Sequence, residues 1–169
     1  MTAGATYDLP KYRYRGARAM VLLHEDAMGR FLATWRRAAA AGLVLPNTQD
    51  PDYASLEAVV FHVLRAGRGY MVWMCKVLEL PDPRIDPPPP LSEVASSADA
   101  YLVHLFERWR TPLAGVEEER FGRPEHLSNW KVLYCVDAML EHAVMHPIRH
   151  EFQLAEMLVQ HGDGKLEAP

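Results

Sequence analysis

Histidine carries most of the candidate chemistry in this chain: eight of the 169 residues are His, and three recur at intervals of four in the segment HAVMHPIRH, at His142, His146 and His150. Residues i and i+4 stack one above the other on a helix, so two imidazoles can reach one ion from the same side. Neutral imidazole is the commonest metal ligand. A closed structural site uses four protein ligands, whereas three leave a position for water or substrate. The expected chemistry is that of a three-histidine ion, which lowers the pKa of bound water to about 7 or stabilises a coordinated thiolate. Either gives a nucleophile at neutral pH.

Facing selects among the histidines. At about 100° per residue, the last helical segment presents a stripe of Val132, Val136, Met139, Ala143, Leu154 and Met157. His150 lies near its centre and His146 about 40° away, while His142 lies a further 40° toward the polar edge shared with Lys131 and Arg149. His146 and His150 are therefore the expected ligand pair, with His142 in reserve. The third ligand is His62, at the margin of the apolar arc of Val59, Val63, Ala66, Tyr70 and Val77. With the two helices antiparallel, His62, about nine positions from the start of one, stands level with His150, about ten from the end of the other. Gln153 faces near the ligands and is expected to orient one, Tyr70 is expected to line a pocket, and Glu151 points about 100° away. The competing reading is a chance i, i+4 pair among scattered histidines. Two buried imidazoles without an ion would then each need a polar partner, and none stands out nearby.

Helical periodicity runs from about Arg15 to Ala40, Tyr53 to Glu79, Leu91 to Ala114 and Asn129 to Gln160. No segment alternates like a strand. Breaks fall at Pro46 and Asn47, from Pro81 to Pro90, and at Gly122, Arg123 and Pro124. Ser92 and Ser128 are the expected N-caps of the third and fourth helices, and the tail from Gly162 to Pro169 is expected to be loose. Pro87 to Pro90 favour an extended path rising about 3.1 Å per residue, long enough to return the chain to the other end of a helix. Helices two and three would then be parallel. The expected fold is one all-α domain over residues 1–169, a four-helix bundle with up-down-down-up topology and long crossover connections. Pro147 removes the helical partner of the Ala143 carbonyl and kinks the axis between the two expected ligands.

Composition removes several function classes. With 49% hydrophobic and 24% charged residues the chain fits an ordinary globular protein, and a formal charge of -4 gives no electrostatic footprint for nucleic acid. No apolar run reaches the roughly 18 residues that span a bilayer. The polar stretch from Met1 to Arg15 lacks the apolar core of a signal peptide, which makes the cytoplasm the expected location. Cys75 and Cys135 are expected to be reduced core thiols. His24 is expected to be a satisfied core histidine, His104, His126 and His161 carry no assignment, and Trp35, Trp73 and Trp109 belong to apolar faces.

Two stretches carry a family resemblance: Leu56-Glu57-Ala58-Val59-Val60-Phe61-His62, and HAVMHPIRHEFQ with His142, His146, His150 and Gln153. With these the chain, over nearly its whole length, resembles the DinB/YfiT-like family of metalloenzymes, four-helix bundles with a histidine on the second helix and H-x-x-x-H on the fourth. Members typically show Arg-Gly-Gln after the last histidine, whereas His150 is followed by Glu151, Phe152 and Gln153. The resemblance implies a divalent ion, nickel or zinc, an up-down-down-up topology and a homodimer. Because relatives include thiol-dependent transferases and isomerases, it also implies a small-molecule substrate and a low-molecular-weight thiol as partner. Metal-dependent hydrolysis is the next expectation, and a non-catalytic metal-binding or stress-linked bundle the alternative. A di-iron carboxylate site is disfavoured because the chain has no Glu-x-x-His pair, and HExxH is absent as well.

Overall fold

Local capping chemistry sets several element ends in the computed structural model, which describes residues 9–162. The described chain is mostly helical. In order it contains α1 (Arg15–Ala40), a single 3-10 turn (Pro51–Tyr53), α2 (Leu56–Val77), α3 (Val94–Trp109), the short α4 (Glu119–Gly122), a hairpin of β1 (His126–Leu127) and β2 (Leu133–Tyr134), and α5 (Val136–Gly162). The tail expected to be loose lies, beyond Gly162, outside the described residues. Among the described residues no helix is long and apolar enough to cross a membrane.

α1 has the bounds expected from its periodicity. It closes with Gly42 in the left-handed region at φ 65°, as the Leu43 amide donates to Ala38 and the Gly42 amide to Ala39. α2 closes in the same way, Leu80 donating to Cys75 and Glu79 to Lys76, but here the left-handed residue is Glu79 at φ 54°. A side chain in that region costs about 1 kcal/mol relative to glycine. Glu79→Gly should therefore raise the melting temperature by roughly 2–4 °C, a shift that calorimetry would read.

Three expected boundaries move. α2 begins at Leu56 because Ser55 Oγ accepts from the Ala58 amide, and the preceding residues form a separate turn in which Asp50 caps Asp52. α3 is shorter than Leu91 to Ala114: Glu93, not Ser92, is its N-cap, and it ends before Pro112, which disfavours helical geometry in the preceding residue. The last helix starts at Val136, because residues 126–134 form a hairpin where no strand was expected. Ser128 is its turn residue, donating its amide to the Val132 carbonyl and accepting the Val132 amide on Oγ, with Lys131 left-handed at φ 65°. Val132, placed by the wheel in the buried stripe, is thus 48% exposed. Cys135 is no core thiol; half-buried, its sulfur receives the Ala138 amide in the first turn of α5.

Pair contacts fix how the long helices run. Arg110, just past α3, pairs with Glu25, and Arg36 pairs with Asp99, so α1 and α3 run in opposite directions. Tyr14 donates to Asp137 and Arg30 to Glu151, so α1 and α5 run the same way. Trp35 donates its indole N–H to the Leu56 carbonyl at the start of α2, and Gly67 lies beside His24. The proline-rich connector is pinned between α2 and α3 by buried Ile85, whose carbonyl accepts from Arg68, and by the Asp86 carbonyl, which accepts from Tyr101. Trp35, Trp73 and Trp109 are buried, and each indole N–H has a backbone carbonyl acceptor.

His24 departs from expectation. It is buried and stacked on Trp109 at 3.8 Å, yet neither ring nitrogen has a hydrogen-bond partner among the described residues. The helices around it supply apolar and aromatic surface, and their backbone groups are already spent inside the helices.

A candidate metal centre

The N-terminal part of α2 and the middle of α5 face each other across the core, and three imidazoles meet there. His146 and His150, 7% and 2% exposed, project from adjacent turns of α5, and half-buried His62 projects from α2. His62 Nε2 lies 2.9 Å from His146 Nε2. One ring nitrogen from each of the three lies within 4.8 Å of the others. Phe31 of α1 packs edge-on against His150 at 6.5 Å, and the Tyr53 ring contacts both His62 and His150.

Hydrogen bonds on the outer edges decide which nitrogens carry lone pairs. Asp52 Oδ2 sits 2.7 Å from His62 Nδ1, and a carboxylate can only accept, so Nδ1 holds the proton and Nε2 keeps its lone pair. Arg65 holds both oxygens of Asp52 at 3.0 Å. His150 Nδ1 donates in turn to Gln153 Oε1 at 3.1 Å, which leaves its Nε2 as the second lone pair. His146 Nε2 faces the lone pair on His62, while its Nδ1 is buried without a partner among the described residues. Without a cation, His146 turns its Nε2 proton toward His62 and its buried Nδ1 is an acceptor without a partner among the described residues; with a cation on Nε2, Nδ1 is instead a donor without one. A divalent ion at the convergence would satisfy the inward lone pairs together, and the donor set fits one.

Electrostatics point the same way. Burial, reinforced by the neighbouring imidazoles, holds His146 far below its ordinary pKa, and burial with the nearby His62 pushes His150 down to about 4. Both rings are neutral at pH 7, the state that ligates. Asp52→Asn should weaken binding of a divalent ion by about 10–100-fold, the usual effect of losing a partner that orients a ligand. Competition against a chromophoric chelator would measure it, and unchanged affinity would show that Asp52 does not set the His62 tautomer.

The remaining expected residues take distinct places. His142 stands outside the three-histidine cluster, stacked on Trp130 at 5.4 Å and edge-on to Tyr70 and Tyr134, with its ring centre 6.3 Å from that of His146. Burial, followed by Arg149, lowers its pKa. Tyr70 is buried between His142 and His146, and Gln153 holds His150. Glu151 accepts from Arg30 instead of approaching the centre. His104 accepts from the Asp86 amide, and His161 belongs to the last turn of α5. A cavity of about 210 Å³ opens beside His150 and Gln153.

Asp52, Arg65, Tyr53 and Trp130 were not anticipated. Of the two buried imidazoles on α5, His150 has the expected Gln153 and His146 Nδ1 has no partner among the described residues, while Asp52 serves His62 and is reached only because the chain turns back at Pro51–Tyr53 before α2. An acidic residue ahead of a serine N-cap was the one available signal, and it occurs in many turns without a histidine to meet. Compared with known proteins, the chain matches no protein-family model, no curated protein and no solved structure.

Proposed function

We propose that this protein is a divalent-metal-dependent enzyme of the DinB-like kind, with His62, His146 and His150 as ligands to nickel or zinc. The observation that carries the reading is the pair of outer hydrogen bonds, from His62 to Asp52 and from His150 to Gln153, which leave inward lone pairs beside His146. A histidine cluster serving only packing would use those hydrogen bonds too, but it has no need to turn one ring nitrogen from each of three residues to within 4.8 Å of the others. The running directions of the four long helices favour the up-down-down-up bundle that the resemblance implies.

When bound, an ion on three imidazoles supplies a Lewis acid that makes coordinated water or thiol a nucleophile at neutral pH. The chain's own contribution is to hold His146 and His150 neutral, to orient His62 and His150 through Asp52 and Gln153, and to exclude bulk water with Phe31, Tyr53 and Tyr70. Thiol-dependent transfer or isomerisation is the reaction class proposed, with a small molecule as substrate.

The test is metal content and turnover. Protein purified without an affinity tag should carry about one nickel or zinc per chain. Thiol-conjugate substrates should turn over in wild type and not in His62→Ala, whereas turnover of esters alone would move the assignment to hydrolysis. An ion-free protein that also fails to take up added nickel and zinc would refute the reading.

A further inference from the structure

The cavity beside His150 has a composition unlike the rest of the site. Its walls are Leu45, Val59, Leu154 and Met157, and Tyr53 closes one side. His150, Gln153, Asn47 and Thr48 bring polar atoms to it, and no Asp, Glu, Lys or Arg lines it. Met157, which the helical wheel assigns to the buried stripe of α5, is only half-buried because it borders this space. The segment that forms the other side, Leu45 to Thr48, leaves α1 through the Gly42 turn and passes over α2 and α5.

Size and chemistry together restrict the occupant. An apolar cavity of about 150 Å³ holds one benzene ring, so about 210 Å³ accommodates a ring with a short substituent. Drug-sized ligands occupy pockets from about 300 Å³ upward. A charged group placed here would lose its water with no counter-charge in the walls to replace it. His150 belongs both to this wall and to the three-histidine cluster, so a group lodged in the cavity lies one side chain from the converging nitrogens.

We propose that this cavity is the subsite for a compact, uncharged, apolar portion of the substrate, one aromatic ring or a branched aliphatic group of similar bulk. The proposal rests on the metal-enzyme reading, for which it names the substrate class: a small molecule whose reacting end meets the ion while its apolar end fills the space under Leu45.

The experiment uses the full chain, metal-free and zinc-loaded, with methyl-labelled methionine and NMR detection. Benzyl alcohol should shift the Met157 methyl saturably, and benzylamine, a cation of the same bulk at pH 7, should bind at least tenfold more weakly. Leu45→Trp, which fills the space from a loop, should abolish the shift, and the milder Leu45→Phe should weaken it, each leaving zinc stoichiometry unchanged. No saturable shift, equal binding of the two probes, or undiminished binding in both variants would overturn the proposal. Zinc uptake measured on the same samples separates the two readings. Stoichiometric zinc without a benzyl alcohol shift overturns the subsite alone, whereas the shift in protein that takes no zinc keeps the cavity as an apolar binding site but removes the metal reading and, with it, the assignment of the bound group to a substrate of the ion.

Discussion

On the ligand set proposed above, His146→Ala should reduce the affinity for nickel or zinc by more than about 100-fold, since losing an orienting partner alone costs about 10–100-fold and this change would delete a proposed ligand outright. His62→Ala and His150→Ala should do the same. His142→Ala should leave affinity within about threefold, because its ring is engaged with Trp130, Tyr70 and Tyr134 and stands outside the convergence. The contrast among four histidines, three of them on one helix, makes this informative: a general loss of fold would not spare one position. Equilibrium competition with a chelator, with circular dichroism on each variant, would provide the measurement. If His142→Ala abolished binding while His150→Ala did not, the ligand set would have to be redrawn around α5.

A second large effect should appear on acidification of the metal-free protein. Burial pushes the pKa of His24 down to about 3, and neither ring nitrogen has a hydrogen-bond partner among the described residues to offset that burial. The folded pKa lies below the unfolded value of about 6.5, so as pH falls the unfolded chain takes up the proton first. The stabilisation is complete above about pH 6.5 and is lost as pH falls toward 3. One such group contributes a slope of about 1.4 kcal/mol per pH unit inside that window. His146, held further down, contributes over the same window, and His150, pushed down to about 4, over the upper part of it. Replacing His24 by leucine removes one titrating group and an imidazole with two unpartnered nitrogens. His24→Leu should therefore be more stable than wild type by about 2 kcal/mol at pH 5, with the difference shrinking toward pH 7. Urea unfolding at pH 7, 6, 5 and 4 would test this, and a difference independent of pH would show that His24 is protonated alike in both states.

Much of the site was legible because its information is local. A four-residue spacing puts His146 and His150 on one helix face, and the wheel that set His142 toward the polar edge agrees with its place outside the cluster. The bounds of α1 followed from periodicity, and the breaks at Pro46, Pro81 and Pro124 all fall between helices. The errors arose where local patterns are degenerate. Val132, Leu133 and Tyr134 continue an apolar spacing that suits a helix, and only the Ser128 turn and the pairing of Leu127 with Leu133 make them a hairpin.

The sequence by itself determined which residues could ligate and which helix faces they occupy, because side-chain direction on a helix follows from position along it. Tertiary structure alone decided that Asp52 meets His62, that His24 is left without hydrogen-bond partners among the described residues, and that Leu45 and Met157 enclose a cavity. Those relations join residues through loop closure and helix packing. The free energy that selects them is spread over the whole core and is not written in the spacing of any one segment.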